Sequence, residues 1–332
     1  MTEIVVAQIG VGYWGPNLLR NLVASTKFKV KTVVELSENR RDYVSGLYPQ
    51  VHVTDDVDEV LQDKEITAVI IATPVSSHYE LSIKMLNAGK HILVEKPMAT
   101  TTREIENIIE IATEKKLISM VGHTFIYNSA VRYIKQIIEN GEIGDIRYIY
   151  CQRLNLGRIR SDVDALWNLA PHDISIIQYW LNDAEPIQIS KHGMDYVQKG
   201  IDDVTFLNIT YPDKVIANVH VSWLDPQKVR KITIVGSKKM IVYDDISDNK
   251  VVIYDKGIDI KASLNENMDY DSITVGDYDL RAGDILIPKI NWKEPLKTEI
   301  NHFADCISGN DVCNTDSNHA KTVVRILESS SK

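Results

Sequence analysis

The sequence predicts an α/β protein of two domains, the first a doubly wound parallel sheet and the second an α+β domain with an open, mostly antiparallel sheet. Three observations predict this class: a glycine-rich turn follows the first apolar run, apolar runs alternate with amphipathic segments over the first third, and strand-like segments dominate afterwards. The 332 residues also exceed what one ordinary domain needs. We expect the domains to span residues 1–124 and 125–332.

Five apolar runs in the first third have the length of strands and do not alternate with polar residues, as is typical of strands buried on both faces. They are residues 4–9, 30–36, 68–72, 91–94 and 118–121. Between them, segments 78–88 and 102–115 carry their apolar residues on one helical face. Strands covered by such helices predict a parallel sheet, which we expect to end near residue 123.

The rest of the chain predicts a different architecture, because short strands joined by polar turns replace the alternating pattern. The predicted strands are residues 145–156, 187–196, 205–211, 215–223, 231–235, 240–243 and 251–254. We expect helices at 129–140 and 171–181, and two more near 298–308 and 319–328. Residues 265–288 are rich in Asp and Gly and are predicted to form a long loop.

The charge and the cysteines limit the classes of partner. The net charge of -9 disfavours nucleic acid and anionic membranes, which bind basic surfaces. Cys151, Cys306 and Cys313 fit neither a disulfide framework nor the close spacing of a zinc site, so we expect free thiols in the cytoplasm and no metal. We also expect no secretory signal and no membrane-spanning segment, because no basic, cleavable leader and no sufficiently long apolar run are found.

Residues 10–15, with the sequence GVGYWG, match the GxGxxG pattern of dinucleotide-binding turns, directly after the first strand and at the start of a helix. Gly10 allows the tight turn, Gly12 lets the backbone approach a pyrophosphate, and Gly15 lets helix and strand pack closely. The helix N-terminus then offers unpaired N–H groups to the phosphates. We therefore predict a Rossmann domain whose cofactor contacts include Tyr13 and Trp14 of this turn.

Glu35 ends the second predicted strand and indicates which dinucleotide is bound. A carboxylate there accepts hydrogen bonds from the ribose hydroxyls and repels a 2′-phosphate, which favours NAD over NADP. Arg40 and Arg41 follow closely and would soften this preference if they faced the cofactor; we interpret them as part of a solvated helix face. NADP therefore stays open as an alternative cofactor.

Lys96 and His172 are candidates for the chemistry, although neither is decisive alone. Lys96 follows Glu95 at the carboxyl end of the fifth strand, where a nicotinamide ring would lie, and a partly desolvated lysine can hydrogen-bond an alcohol or ketone oxygen. His172 shares a helical stripe with Ile176 and Trp180, so it faces inward. Surface lysines and buried core histidines are the commoner cases, so the residues alone leave both interpretations open.

Four segments together resemble the glucose–fructose oxidoreductase / inositol dehydrogenase / rhizopine-catabolism (Gfo/Idh/MocA) family, over essentially the whole chain. They are the GVGYWG turn, Ala72-Thr73-Pro74 with His78, Glu95-Lys96-Pro97 and the histidine-bearing helix. The resemblance implies an NAD-dependent dehydrogenase that moves a hydride between nicotinamide and a CH–OH group of a sugar. It implies that Lys96 orients the reacting oxygen and that His172 is the acid or base.

The resemblance also implies roles for other residues and for the second domain. Thr73, Pro74 and His78 are expected along the nicotinamide side of the site, with Glu95 among the cofactor-binding residues. The second domain is expected to bind the substrate. Polar and apolar residues alternate over 218–223, which leaves one sheet face in need of a cover, and the resemblance implies homodimers or homotetramers built through it.

Asn168 is a departure from the family, which often has an aspartate four residues before the histidine. Either the Asn168 amide orients a substrate hydroxyl, with Asp173 or Asp164 supplying the negative charge, or Asn168 caps a helix. Both interpretations stay open. The neighbouring Trp167 is a further candidate substrate contact.

Arg153 and Asn155 project from one face of a strand, and Arg158 and Arg160 follow closely. So many guanidinium groups predict either an anionic ligand or a set of surface ion pairs. The segment resembles family members that oxidise a nucleotide-linked amino sugar at its 3-hydroxyl, which implies UDP-N-acetylglucosamine as substrate. The alternatives are an inositol or free-sugar dehydrogenase and, in another class, a non-catalytic NAD-binding regulator.

Overall fold

The computed structural model describes residues 3–157, 159–260 and 278–330, which belong to two compact units. Unit 1 draws its residues from Met1–Asn128, Ile174–Asp183 and Trp292–Lys332. Unit 2 draws its residues from Ser129–Asp173 and Ala184–Asn291.

Unit 1 contains a six-stranded parallel sheet with the order β3-β2-β1-β4-β5-β6. The strands are β1 (Ile4–Ile9), β2 (Phe28–Val34), β3 (His52–Thr54), β4 (Ala68–Ile71), β5 (His91–Glu95) and β6 (Ser119–Gly122). The accompanying helices are α1 (Gly15–Val23), α2 (Glu38–Leu47), α3 (Val57–Gln62), α4 (His78–Asn87) and α5 (Thr102–Lys115). The order reverses between β1 and β4, so the carboxyl ends of these strands form a topological switch point. The predicted doubly wound parallel sheet is confirmed.

Two short elements of unit 1, β3 and α3, are absent from the sequence prediction, and α2 was expected only as the helix face that carries Arg40 and Arg41. β3 has only three residues, α2 buries only Val44 and α3 buries only Val60. An element with so little buried apolar surface leaves almost no hydrophobic periodicity to detect. Asp56 does cap α3, because its side chain accepts a hydrogen bond from the Asp58 backbone N–H at 2.8 Å.

The last two helices, α8 (Pro295–Ile307) and α9 (Ser317–Ser329), belong to unit 1. Leu296, Ile300 and Phe303 of α8 share a buried core with residues of β1, α1 and β2. The Phe303 ring stacks on Phe28 with ring centroids 6.2 Å apart. The expected division into residues 1–124 and 125–332 therefore differs from the structure, because the chain returns to the first unit to cover its apolar surface.

Unit 2 contains an eight-stranded sheet with the order β14-β13-β12-β11-β7-β10-β9-β8. After helix α6 (Ser129–Glu139), its strands are β7 (Ile146–Leu156), β8 (Gln188–Met194), β9 (Val204–Thr210), β10 (Ile216–Ser222), β11 (Leu224–Gly236), β12 (Met240–Asp244), β13 (Val251–Ile260) and β14 (Tyr278–Leu286). Neighbouring strands are antiparallel except for the parallel pair β7–β10. The predicted mostly antiparallel sheet is confirmed.

The loop predicted over 265–288 is partly wrong, since residues 278–286 form β14; residues 265–277 lie outside the described residues. Arg281 on β14 pairs with Asp255 and Asp259 of β13 at 3.1 and 2.7 Å. Such polar cross-strand pairs resemble loop composition in the sequence, which explains the missed strand.

Helix α7 (Ala165–Trp180) begins at Ala165 and not at the predicted residue 171. The side chain of Asp164 accepts a hydrogen bond from the Trp167 backbone N–H at 2.8 Å, so Asp164 is the helix cap. Asn168 consequently lies inside the helix, and its interpretation as a cap is wrong. Pro171 also lies in the helix interior, and the division between the units falls between Asp173 and Ile174.

Candidate active site

The glycine turn after β1 has the geometry that a bound dinucleotide needs. Gly10 has a φ of 92°, and a Cβ there would lie 2.7 Å from the Ala72 carbonyl oxygen. A Cβ on Gly15 would lie 2.7 Å from the Gly10 oxygen. At Gly12, by contrast, no atom of the described residues lies within 4 Å of the position that a Cβ would take. The turn is therefore closed where α1 meets β1 and open where its backbone must approach a pyrophosphate.

Gln8 stabilises this turn through its buried side chain, a role that the sequence did not indicate. Its buried amide donates hydrogen bonds to the backbone oxygens of Gly10 and Gly15, both at 2.9 Å. A polar residue within an apolar strand gives no sign in the sequence of which backbone groups it will bond. Its burial makes both bonds costly to lose.

Glu35 and Arg40 bond to the backbone of the glycine turn, and Arg41 bonds to the backbone of the loop after β2. The Glu35 carboxylate accepts hydrogen bonds from the backbone N–H groups of Val11 at 2.6 Å and Ser37 at 3.0 Å. Arg40 donates to the backbone oxygens of Val11 at 2.5 Å and Gly12 at 3.1 Å.

Arg41 donates to the backbone oxygens of Glu35 and Leu36 at 2.9 and 2.8 Å. Both arginines lie on α2, so the interpretation as a solvated helix face is confirmed for Arg40, which is exposed, whereas Arg41 is partly buried. Their guanidinium groups fix the loops after β1 and β2, and Arg40 holds a positive charge beside Gly12.

Lys96 follows the end of β5, where Glu95 forms a partly buried acidic neighbour. The Lys96 backbone N–H donates to the Glu95 carboxylate at 3.2 Å. Gly122 of β6 pairs with Glu95, and a Cβ on Gly122 would lie 3.2 Å from that carboxylate, so the glycine makes room for it. Burial raises the pKa of Glu95 to about 7, against the opposing effects of Lys96 and Trp14.

Glu299 of α8 adds a second buried carboxyl to this region, and the sequence analysis missed it. The side chain is fully buried and accepts a hydrogen bond from the Thr124 hydroxyl at 2.8 Å. Burial, and then the proximity of Glu95, raise the pKa of Glu299 well above its ordinary value. Lys96 therefore lies beside Glu95, whose carboxyl is in turn close to that of Glu299, and the pKa of each carboxyl is raised.

His123 completes the titratable groups around Lys96. Burial, followed by the nearby His319 and Lys96, lowers the pKa of His123 well below its ordinary value. The rings of His123 and His319 contact each other edge to face, with their centroids 5.1 Å apart. His319 Nδ1 lies 2.7 Å from Asp183 Oδ1. In its neutral form, His123 adds no positive charge next to Lys96.

His78 lies 1 % exposed beneath the loops that follow β4 and β5. Its Nδ1 and Nε2 lie 2.8 Å from the backbone oxygens of Pro97 and Thr73. Donation to both oxygens needs a protonated ring, whereas burial lowers the pKa of His78. The ring thus links the Thr73-Pro74 segment to Pro97, and we propose that it serves the site by positioning these loops.

In unit 2, Arg153 and Asp173 form a buried, two-pronged ion pair. Arg153 Nε and Nη2 donate to the Asp173 carboxylate oxygens at 2.8 and 2.9 Å. Burial lowers the pKa of Arg153, but Asp173 outweighs this effect and the net shift is upward. Arg153 therefore fixes the part of α7 that carries His172 to β7. This ion pair takes the place of the contact with an anionic ligand, which was one of the two interpretations of Arg153 from the sequence.

The other members of the arginine-rich segment follow the same pattern where they are described. Arg160 Nε donates to Asp162 at 2.8 Å in an exposed pair, and Arg158 lies outside the described residues. Asn155 lies half-buried, with its amide against Gly157. Of the two interpretations, ion pairing accounts for both described arginines.

His172 is half-buried on α7, one helical turn after Asn168. The Asn168 side-chain oxygen accepts a hydrogen bond from the Trp223 indole N–H at 3.4 Å. Asp173 forms an ion pair with Arg153. Asp164 caps the helix, and its Oδ2 lies 3.6 Å from Lys191 Nζ. The structure thus gives both aspartates other partners, and the amide of Asn168 lies one turn before His172.

The strand order of unit 1, with a glycine turn at its switch point, defines a dinucleotide-binding Rossmann domain. Residues 4–123 match the family model described as "Oxidoreductase family, NAD-binding Rossmann fold", and residues 131–242 match the "GFO/IDH/MocA C-terminal domain". The two models together span well over half of the chain. The protein belongs to the Gfo/Idh/MocA oxidoreductase family, with an NAD-binding N-terminal domain, as the sequence predicted.

Three curated relatives illustrate the similarity. A 4-carboxy-2-hydroxymuconate-6-semialdehyde dehydrogenase of Sphingobium sp. is 30% identical over 52% of this chain and 58% of its own length. The UDP-N-acetylglucosamine 3-dehydrogenase of Acidithiobacillus ferrooxidans is 29% identical over 58% of this chain and 60% of its own length. The scyllo-inositol 2-dehydrogenase (NADP(+)) IolW of Bacillus subtilis is 30% identical over 41% of this chain and 37% of its own length.

The chain thus matches less than two thirds of the length of these relatives. A solved structure of the Acidithiobacillus ferrooxidans enzyme superposes with a TM-score of 0.80 and 24% sequence identity, covering 99% of this chain and 97% of that one. This likeness supports the fold. Among the residues that the structure describes, no helix has the length and apolar character needed to cross a membrane.

Proposed function

We propose that this protein is an NAD-dependent dehydrogenase that oxidises a secondary alcohol of a sugar, with Lys96 and His172 handling the reacting oxygen and its proton. The observation that carries the proposal is the position of Lys96, which follows β5 of an NAD-binding domain and lies beside the carboxyl of Glu95, whose pKa is raised. Titratable groups perturbed in this way are typical of functional sites.

Lys96 is proposed to hold the substrate oxygen by a charge-assisted hydrogen bond. Because Glu95 and Glu299 favour their neutral forms, they offset the ammonium charge only in part. A cation left uncompensated in a desolvated site stabilises the alkoxide character that develops on the oxygen. NAD, when bound, supplies the hydride acceptor.

His172 is proposed to accept the hydroxyl proton. The Arg153–Asp173 ion pair fixes its helix to β7, and Asn168 lies one turn before it on the same helix. The Asn168 amide is proposed to orient a substrate hydroxyl, with Trp167 and Asn155 as further substrate contacts. An amide carries no negative charge, so we expect it to support a histidine cation less than an aspartate would.

The substrate that we favour is a nucleotide-sugar such as UDP-N-acetylglucosamine, oxidised at the 3-hydroxyl. The named activity of the Acidithiobacillus ferrooxidans relative supports this choice. An inositol or a free sugar is the second candidate, and one observation favours it: Arg153 and Arg160 are engaged in ion pairs with aspartates. An anionic substrate would need other cations.

The test follows the absorbance of NADH while the protein is offered NAD, or NADP, with nucleotide-sugars, sugar phosphates and inositols. Lys96→Ala and His172→Ala are compared with two exposed controls, Lys84→Ala and His52→Ala. We expect turnover with one nucleotide-sugar, a loss of at least 100-fold in both site variants, and little change in the controls.

Three other outcomes of this test are informative. Saturation by inositol but by no nucleotide-sugar would select the second candidate. Turnover that survives Lys96→Ala and His172→Ala would remove both residues from the chemistry. NAD binding without turnover of any alcohol, or of any keto sugar in the presence of NADH, would replace the enzyme by a non-catalytic regulator.

We further propose that the protein assembles into homodimers or homotetramers through the open face of the eight-stranded sheet. Tyr148 and Phe206 are 48% and 43% exposed there, and Phe206 stacks on His220 at 4.1 Å. Light scattering of the protein and of a Phe206→Asp variant checks this, since the variant should dissociate. The free thiols of Cys151, Cys306 and Cys313 support the proposed cytoplasmic location.

A further inference from the structure

Three side chains of the types that bind soft metal ions lie close together near the end of α8. The ligand atoms of His302, Cys306 and Cys313 all lie within 4.8 Å of one another. His302 Nε2 lies 3.4 Å from Cys306 Sγ. Around a tetrahedral zinc ion, with metal–ligand distances of about 2.0–2.3 Å, nitrogen and sulfur ligands lie about 3.5 Å apart. The distance between this histidine and this cysteine is therefore that of two vertices of such a site.

The local fold explains how the three groups come together. His302 and Cys306 are four residues apart on α8 and so lie on the same helical face. Gly309, with a φ of 70°, reverses the chain after the helix and allows Cys313 to return towards that face. His302 and Cys306 are each only 4 % exposed, whereas Cys313 is half-buried and gives the cluster a side that an ion can approach.

The environment of His302 suits a metal ligand. Its Nδ1 lies 3.1 Å from a carboxylate oxygen of Asp311, which keeps the proton on Nδ1 and leaves the lone pair on Nε2. Histidines that bind zinc commonly donate their other N–H to a carboxylate in this way. Nε2 accepts a hydrogen bond from the Asn314 backbone N–H at 3.1 Å, a contact that a bound ion would replace.

We propose that His302, Cys306 and Cys313 form a binding site for a thiophilic divalent ion of the zinc class, with water as the fourth ligand. Binding forms two metal–thiolate bonds and one metal–imidazole bond and releases the two thiol protons, with no change in oxidation state. The site would tie the end of α8 to the segment that leads into α9. These helices carry Glu299 and His319, so the ion would stabilise the elements that surround Lys96 in unit 1. The expectation of no metal site, which relied on sequence spacing, is revised by this cluster.

The test is a titration of the reduced protein with Co²⁺, whose thiolate complexes show charge-transfer absorption. A thiol assay beforehand verifies that the cysteines are reduced. We expect the absorption to saturate at about one equivalent and to disappear on addition of Zn²⁺. The absorption should be lost in Cys306→Ser and Cys313→Ser and kept in Cys151→Ser, whose thiol lies on β7 of unit 2.

Two further measurements guard against variants that fail to fold. Asp311→Asn changes an exposed residue and should weaken Co²⁺ binding by about 10-fold or more. Zn²⁺ should raise the Tm of the unmodified chain and of Cys151→Ser equally. A reduced protein without charge-transfer absorption, or absorption that persists in both cysteine variants, would overturn the proposal. None of these readouts depends on dehydrogenase activity.

Discussion

Two buried acidic sites, one in each unit, differ in how their charge is compensated. In unit 2, the carboxylate of Asp173 receives two hydrogen bonds from Arg153, and the charges compensate each other. In unit 1, Glu95 and Glu299 each have a buried carboxyl oxygen without a hydrogen-bond partner among the described residues, and the pKa of each is raised. A compensated pair holds elements together, whereas uncompensated carboxyls near a lysine are poised to exchange protons. In the proposed function, the compensated pair supports the helix that carries His172, and Glu95 lies next to the proposed catalytic Lys96.

The largest expected effect comes from breaking the compensated pair. Arg153→Met leaves the Asp173 charge buried without its partner, so the free energy of unfolding should fall by about 3–5 kcal/mol. Arg160→Met removes an exposed pair with Asp162 and should change it by less than about 1 kcal/mol. Urea denaturation of both variants at pH 7 measures the difference. Equal losses would mean that the buried pair has no special role.

The second prediction concerns the raised pKa of Glu95 in unit 1. A carboxyl whose pKa is higher in the folded protein binds its proton more tightly there than in the unfolded chain. The free energy of unfolding should therefore fall as the pH rises from the ordinary 4.5 of a glutamate to the value of about 7 for Glu95. The contribution of Glu95 to this fall in the free energy of unfolding is expected to be about 3 kcal/mol.

Glu95→Gln should remove the contribution of Glu95 and leave that of Glu299, whose pKa is also raised, whereas Glu106→Gln, at an exposed position on α5, should leave the whole pH dependence unchanged. Denaturation across this pH range is the measurement. A stability that stays flat in the unmodified protein would show that Glu95 titrates normally.

The same contrast explains which parts of the molecule the sequence could predict. The parallel sheet was predictable because β4 is apolar throughout and β1 is apolar except for Gln8, and the glycine turn because its spacing has a specific physical cause. Helix α3 was not predicted because it buries only Val60. Local pattern thus carries information in proportion to the apolar surface that an element buries.

Polar partners were less predictable, because they depend on tertiary contacts. Lys96 was identified from its position after β5, but Glu299 comes from α8, far downstream in the chain. The pairing of Arg153 with Asp173 was equally hidden, because the sequence leaves Arg153 open between an anionic ligand and surface ion pairs and offers Asp173 as a substitute for the family's aspartate. His302, Cys306 and Cys313 lack a standard zinc spacing and are brought together only by the turn after α8.

The smallest expected effect tests the charge state of Glu299 directly. Its surroundings favour the neutral carboxyl, and a glutamine is neutral, similar in shape and able to accept the Thr124 hydrogen bond. Glu299→Gln should therefore not lower the free energy of unfolding at pH 7 and should raise it, because the glutamine, unlike the glutamate, takes up no proton on folding. The same exchange at Asp173, to asparagine, removes the charge that Arg153 needs and should cost about 3 kcal/mol or more. Urea denaturation of the two amide variants compares them at one pH. A large loss in Glu299→Gln would mean that this carboxyl is ionised in the folded protein, and Lys96 would then be compensated in the same manner as Arg153.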